Sequence, residues 1–330
     1  MKKILRYLCI VLAIFLGIAF SYLFLGKAPE PKNILWGVNF SSEHAKNLGL
    51  DWKKAYLALL DDLKVKRIKL ALRWDLAELE QGEYSFEDFD WQIEQASSRN
   101  LSIIPVIGMK TTRWPECHIP GWAQGLPKEV QQERILQLLQ ALVLRYKDVP
   151  AIRAWQIENE PFFPFGECPW TDKEFLKKEV ALVKSLDPNR QILITDSGEG
   201  SFWTGSARYG DIVGTTMYRK VWVQQLNLYF TYPLPPVFYW RKAELISYFF
   251  GKEVIGAELQ AEPWGPELLY FSSLAEQEKT MNAEQFTKNI EFAKKTGLKE
   301  HYLWGSEWWY WMKEKQKDPS IWNAAKSLFK

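Results

Sequence analysis

From residue 33 to the C-terminus the chain alternates between short apolar runs and amphipathic stretches, and this alternation restricts the fold more than any other feature. The apolar runs lie at 33–40, 65–73, 101–108, 151–158, 191–196, 211–218, 253–258 and 299–304. Between and after them, helical periodicity marks 51–63, 86–99, 128–146, 172–186, 201–208, 237–250, 276–296 and 320–329. Strands that alternate with helices form parallel sheets through right-handed crossovers. A parallel strand is buried on both faces, so it reads as a near-continuous apolar run, as in Ser102-Ile103-Ile104-Pro105-Val106-Ile107. Eight such units predict an α/β fold of the (β/α)8 barrel type. A doubly wound open sheet is the rival, but no G-x-G-x-x-G turn follows the first strand.

The first 26 residues stand apart. Tyr7 to Leu25 is an uncharged run flanked by Lys2, Lys3 and Arg6, long enough for a helix to cross a bilayer core. Bulky residues occupy the stretch Phe20–Leu25 where a cleavage site needs small ones, which favours an uncleaved signal anchor over a signal peptide. The flanking cations place the N-terminus inside, so the rest is expected outside, membrane-anchored, or secreted if the segment is cleaved. The expected organisation is an anchor at 1–26, a spacer with Pro29 and Pro31 at 27–32, and a catalytic barrel at 33–330. The formal net charge is +2, and the anchor's three cations leave the remainder at −1. Nothing in that balance resembles a nucleic-acid footprint.

If the barrel forms, its chemistry sits at the carboxyl ends of the strands. Those ends bring forward Asn39, Arg73, Lys110, Asn159-Glu160-Pro161, Asp196, Tyr218, Glu258 and Trp304. The 3 His have no metal-ligand spacing, and neither a nucleophile elbow nor a phosphate loop occurs, so no metal or cofactor is expected. What converges is a pair of carboxyl groups among aromatic side chains. Glycoside hydrolysis needs that set: one carboxylic acid protonates the leaving oxygen while a second carboxylate attacks the anomeric carbon or activates water. An oligo- or polysaccharide is therefore the expected partner, and 17 Trp, 14 Tyr and 19 Phe supply faces for sugar rings.

The run Ala154-Trp155-Gln156-Ile157-Glu158-Asn159-Glu160-Pro161 resembles the fourth-strand signature of the clan A (β/α)8 glycoside hydrolases, and Val254-Ile255-Gly256-Ala257-Glu258 resembles their seventh. The segment from Arg73-Trp74 through Glu78, Gly82, Tyr84, Phe86 and Asp90 resembles the cellulase- and β-galactosidase-like members. Asp211–Gly214 leading to Tyr218 resembles the sixth strand, and Tyr302-Leu303-Trp304-Gly305 the eighth. The resemblance implies that Glu160 is the acid/base, Asn159 a ligand of the sugar 2-hydroxyl and Glu258 the nucleophile. It further implies that Tyr218 contacts the nucleophile and that Trp304 floors the subsite of the cleaved sugar.

The expected mechanism is a retaining double displacement with Glu258 held ionised by Arg73 and Tyr218, which needs carboxyl groups about 5–5.5 Å apart. Glu262, in Glu262-Pro263-Trp264, is read as a loop residue or sugar contact, and Trp264 as substrate-binding. Strand alternation aims Glu158 to the same side as Glu160, as a barrel-interior partner of Arg73 or Lys69. Trp114, Trp122, Trp170, Trp203 and Trp308 fall on strand-end loops and divide between sugar stacking and local cores, whereas Trp52, Trp91 and Trp322 on helices read as core. The aromatic insertion 222–240 is expected to cover the site or to rest on the membrane. Cys117 and Cys168 lie in neighbouring loops and are expected to form a disulfide. An inert, membrane-tethered carbohydrate-binding barrel and a metal-dependent hydrolase stay open as alternatives.

Overall fold

The computed structural model describes residues 2–329, save the Lys2 side chain. Among the described residues, eight parallel strands close into a barrel: β1 (Leu35–Phe40), β2 (Arg67–Ala71), β3 (Ser102–Ile107), β4 (Ala154–Ile157), β5 (Gln191–Asp196), β6 (Ile212–Met217), β7 (Glu253–Gln260) and β8 (Glu300–Trp304). Each strand pairs with its sequence neighbours, and β8 closes on β1 with Leu35 opposite Glu300. This is the (β/α)8 architecture that the alternation predicts.

The helices begin where capping residues stop the strand-end loops. Asp51 accepts from the amides of Lys53 and Lys54 at 3.1 and 3.2 Å and starts Trp52–Asp61. Asp172 does the same for Lys173–Leu186, and Asn282 for Ala283–Lys294. Their inner faces pack on the strands in one continuous core. Ile104, Ala154, Leu193, Ile212, Ile255 and Tyr302 fill the barrel interior as a separate apolar layer. Gly256 is needed for close packing, since a β-carbon there would lie 2.3 Å from the His301 ring.

The tryptophans after β5 and β8 take the core alternative. Residues after Gly305 form a helix, Ser306–Glu314, that buries Trp308 and Trp309. Trp203 is likewise buried, so these three are core residues. The insertion folds as a hairpin, Lys220–Val223 with Leu228–Thr231, followed by the helix Pro236–Phe250. Before β1, an apolar helix, Lys2–Phe24, stands clear of the barrel along most of its length, and it is long and apolar enough to span a membrane.

Candidate active site

One irregularity in β7 aims Glu258. Ile255 lies in the interior layer, so simple alternation would next turn Ala257 inward. Toward β6 the register runs Thr215 with Gly256 and then Thr216 with Glu258; toward β8 it runs His301 with Gly256 and then Leu303 with Leu259. Both ladders skip one residue, the signature of a bulge at Ala257. The carbonyl released there accepts Lys69 Nζ and Asn39 Nδ2, each at 3.2 Å. Asn39 also donates to the Leu303 carbonyl at 3.2 Å, so its amide ties β7 to β8.

Glu258 is 2% exposed. Its Oε2 accepts from Tyr218 Oη at 2.9 Å, and its Oε1 has no partner among the described residues. Burial raises its carboxyl above the usual range, while Lys69, the Tyr218 hydrogen bond, Arg113 and Lys110 act in the opposite direction. Arg73 does not take the expected part. A short helix, Trp74–Ala77, begins right after it, and its guanidinium folds back onto Asp75, with Nε at 2.9 Å from Oδ1. The cation that reaches the site from β2 is instead Lys69, and burial lowers its ammonium to about 8.

Glu160 follows β4 in the left-handed region, at φ 43°. Its amide donates to Thr195 Oγ1 at 2.9 Å, and Lys110 Nζ donates to its carbonyl at 3.1 Å. Burial and the charges of Glu258 and Glu116 push its carboxyl well above the usual range. Glu158 is also left-handed, at φ 57°, and the inward alternation expected of it fails. Its carboxylate accepts the amides of Met109 and Lys110 at 2.8 and 2.6 Å, and it lies beside buried Glu179 rather than beside Arg73 or Lys69. Gly108 makes room for it: a β-carbon there would sit 2.4 Å from Glu158 Oε1.

Asn159 is buried between two partners. Its Nδ2 donates to Glu116 Oε2 at 3.0 Å, and its Oδ1 accepts from Gln156 Nε2 at 3.2 Å. Glu116 is a third carboxyl in the site that the sequence reading missed. It sits in the loop after β3 next to Cys117, which is bonded to Cys168 with Cα atoms 5.2 Å apart. That disulfide joins the β3 and β4 loops, as expected. Burial pushes the Glu116 carboxyl up to about 8. A fourth carboxyl, Glu199, accepts the Tyr218 amide and Tyr239 Oη, each at 2.8 Å.

The remaining expected site residues fall around this centre. Trp304 carries the Arg113 guanidinium 4.1 Å from its ring centroid. Arg113 in turn pairs with Glu262 and, at 3.3 Å, with Glu307. Burial works against the Glu262 charge, but Arg113 and His44 outweigh it and hold the carboxyl at about 2. Glu262 is therefore a fixed anion that orients Arg113. Trp264 packs edge-on against Tyr218 at 5.0 Å, and Phe165 and half-exposed Trp114 continue the aromatic line outward at 5.7 and 5.9 Å. The hairpin is strapped to the same loop, with the Trp222 amide donating to the Trp264 carbonyl at 3.1 Å. Among the described residues, no group of three or more His, Cys, Asp or Glu is placed to hold a metal ion.

Two consequences can be measured. Lys69 favours the ionised form of Glu258, so Lys69→Met raises the Glu258 pKa. The acidic limb of kcat/KM should then move to higher pH; an unmoved limb would show that Lys69 acts only through the bulge. Folding holds Glu116 at about 8 against an ordinary 4.5, so its contribution to stability is complete below 4.5 and lost as pH rises through about 8. Glu116→Gln should remove a decline of up to about 1.4 kcal/mol per pH unit in that window. Calorimetry at pH 5 and pH 8 reads this directly, and an equal decline in both proteins would refute it.

No protein-family model matches the chain. Curated proteins match over 66 residues. A "probable mannan endo-1,4-beta-mannosidase F" of Aspergillus flavus is 38% identical there, and that of Aspergillus clavatus is 36% identical, with the match covering 19% of this chain in each case. The matched segment spans 13% and 14% of those relatives' own lengths. Solved structures share the fold over most of the chain. The GH5_18 protein of Streptomyces cattleya, solved with GlcNAc, aligns at TM-score 0.60 and 14% identity, covering 84% of this chain and 71% of that one. An endo-β-1,4-mannanase of Thermotoga petrophila aligns at TM-score 0.56 and 17% identity, covering 83% and 68%. The chain has the (β/α)8 barrel fold of these glycoside hydrolases.

Proposed function

We propose that this chain is a retaining glycoside hydrolase acting on β-mannosidic linkages, with Glu258 as nucleophile and Glu160 as acid/base. The observation that carries the reading is the contrast between two buried carboxyls. Glu160 is pushed up by burial and by the Glu258 and Glu116 charges, while Glu258 is opposed in its rise by Lys69, Tyr218, Arg113 and Lys110. Two carboxyls with separated proton affinities supply an acid and a nucleophile at one pH. Glu160 protonates the leaving oxygen as Glu258 attacks the anomeric carbon. Once Glu258 is esterified its charge is gone, Glu160 becomes more acidic, and it then takes the proton of the incoming water.

The β-manno preference rests on the similar proteins. The curated matches are mannan endo-1,4-β-mannosidases, and GH5_18 proteins from Streptomyces cattleya and Bifidobacterium longum were solved with Manβ1-4GlcNAc. We further propose that the helix Lys2–Phe24 spans a membrane with its N-terminus inside and holds the barrel on the extracytoplasmic side, where a disulfide persists. The purified full chain in detergent should release sugar from an aryl β-mannoside and from Manβ1-4GlcNAc, and lose this activity with Glu258→Gln. Binding of these sugars without turnover would instead establish an inert carbohydrate-binding barrel. No binding and no turnover would overturn the substrate assignment.

A further inference from the structure

The helix Pro236–Phe250 has two working faces. One braces the candidate active site: Tyr239 Oη donates to Glu199 and Lys242 Nζ to the Gly198 carbonyl, both at 2.8 Å. The other receives the end of the apolar N-terminal helix. Phe24 packs on Phe238 with ring centroids 5.3 Å apart, and Arg241 lies over Tyr22 at 4.7 Å and over Trp240 at 4.2 Å. Moving back along the N-terminal helix from 24 to 22 moves the contact forward from 238 to 241. The two helices thus run in opposite senses where they touch, beside the C-terminal end of the apolar helix.

Residues 238, 241, 245, 248 and 249 lie within about 100° of one another around the helix axis. The stripe that Phe24 and Tyr22 cover at its start therefore continues through Leu245 to Tyr248 and Phe249. These last two are 83% and 68% exposed, an aromatic pair with ring centroids 5.0 Å apart that the described residues leave uncovered. Solvent is a poor neighbour for such a pair. Tyr, Trp and Arg beside the end of an apolar helix form the composition found at a bilayer surface.

We propose that this face of Pro236–Phe250 lies in the lipid interface of the membrane that Lys2–Phe24 spans, with Tyr248 and Phe249 seated at the headgroup–acyl boundary. The barrel would then be held by one spanning helix and one interfacial helix, which fixes its orientation to the membrane. The inference rests on the membrane-spanning reading of Lys2–Phe24 and is independent of the glycosidase reading. The test uses the full chain in phosphatidylcholine vesicles containing shallow brominated lipid, with an environment-sensitive fluorophore on one cysteine at a time. Free Cys9, inside the apolar helix, reports insertion. In a Cys9→Ser background, Tyr248→Cys and Phe249→Cys report the proposed surface, and Leu79→Cys, 70% exposed in the native chain, reports water.

Quenching at 9, 248 and 249, with none at 79, is the expected result. Quenching at 9 with 248 and 249 as dark to lipid as 79 would overturn the interfacial helix and leave the spanning helix standing. No quenching at 9 would overturn both.

Discussion

Replacing Glu258 with Gln should abolish turnover of an aryl β-mannoside, by about 10⁴-fold or more, without unfolding the barrel. The amide keeps the size of the carboxyl and can still meet Tyr218 Oη, which lies 2.9 Å from Oε2. It cannot form the bond to the anomeric carbon. Because burial of the Glu258 charge is itself unfavourable, the neutral variant should melt no lower than the native chain. Activity within about tenfold of native would remove Glu258 from the nucleophile's role, given the size of losses at other nucleophiles. Glu262 is no substitute, since Arg113 and His44 hold it as a fixed anion.

Glu160→Ala should behave differently, and the difference identifies the acid/base. Loss of general acid catalysis costs about 10²–10⁴-fold for a sugar leaving group. An activated aryl oxide needs no proton to leave, so the covalent step should be nearly preserved and its hydrolysis should become limiting. The observable is a burst of aryl oxide followed by slow turnover, together with loss of the basic limb of the pH profile. Added azide, which needs no general base, should accelerate the slow phase. Equal losses with both leaving groups and no azide effect would assign Glu160 a structural role. Glu116, bonded to Asn159 at 3.0 Å, would then be the next acid to examine.

The distribution of apolar runs made the barrel legible because parallel strands are buried on both faces and leave uninterrupted signals. The run 191–196 coincides with β5, and 128–146 with its helix. Glu160 and Glu258 could be placed at the barrel mouth because one follows the run 151–158 by two residues and the other ends the run 253–258. Three features were not legible. The bulge at Ala257, which turns Glu258 inward, changes register without changing composition. Arg73 was given to the nucleophile because it ends an apolar run, but the helix starting at Trp74 and the nearby Asp75 divert it. Glu116 belongs to a loop with no period, and only its place beside Cys117 could have drawn notice. Trp308 was misplaced for a related reason: an amphipathic helix starting directly after Gly305 looks, residue by residue, like an aromatic loop.

A two-carboxylate double displacement retains the anomeric configuration, so the stereochemistry of the first product tests it most directly. Proton NMR of the full chain acting on an aryl β-mannoside, recorded before mutarotation, should show β-mannose appearing first. Initial release of α-mannose would mean a single inversion by water, and Glu258 would not be a nucleophile.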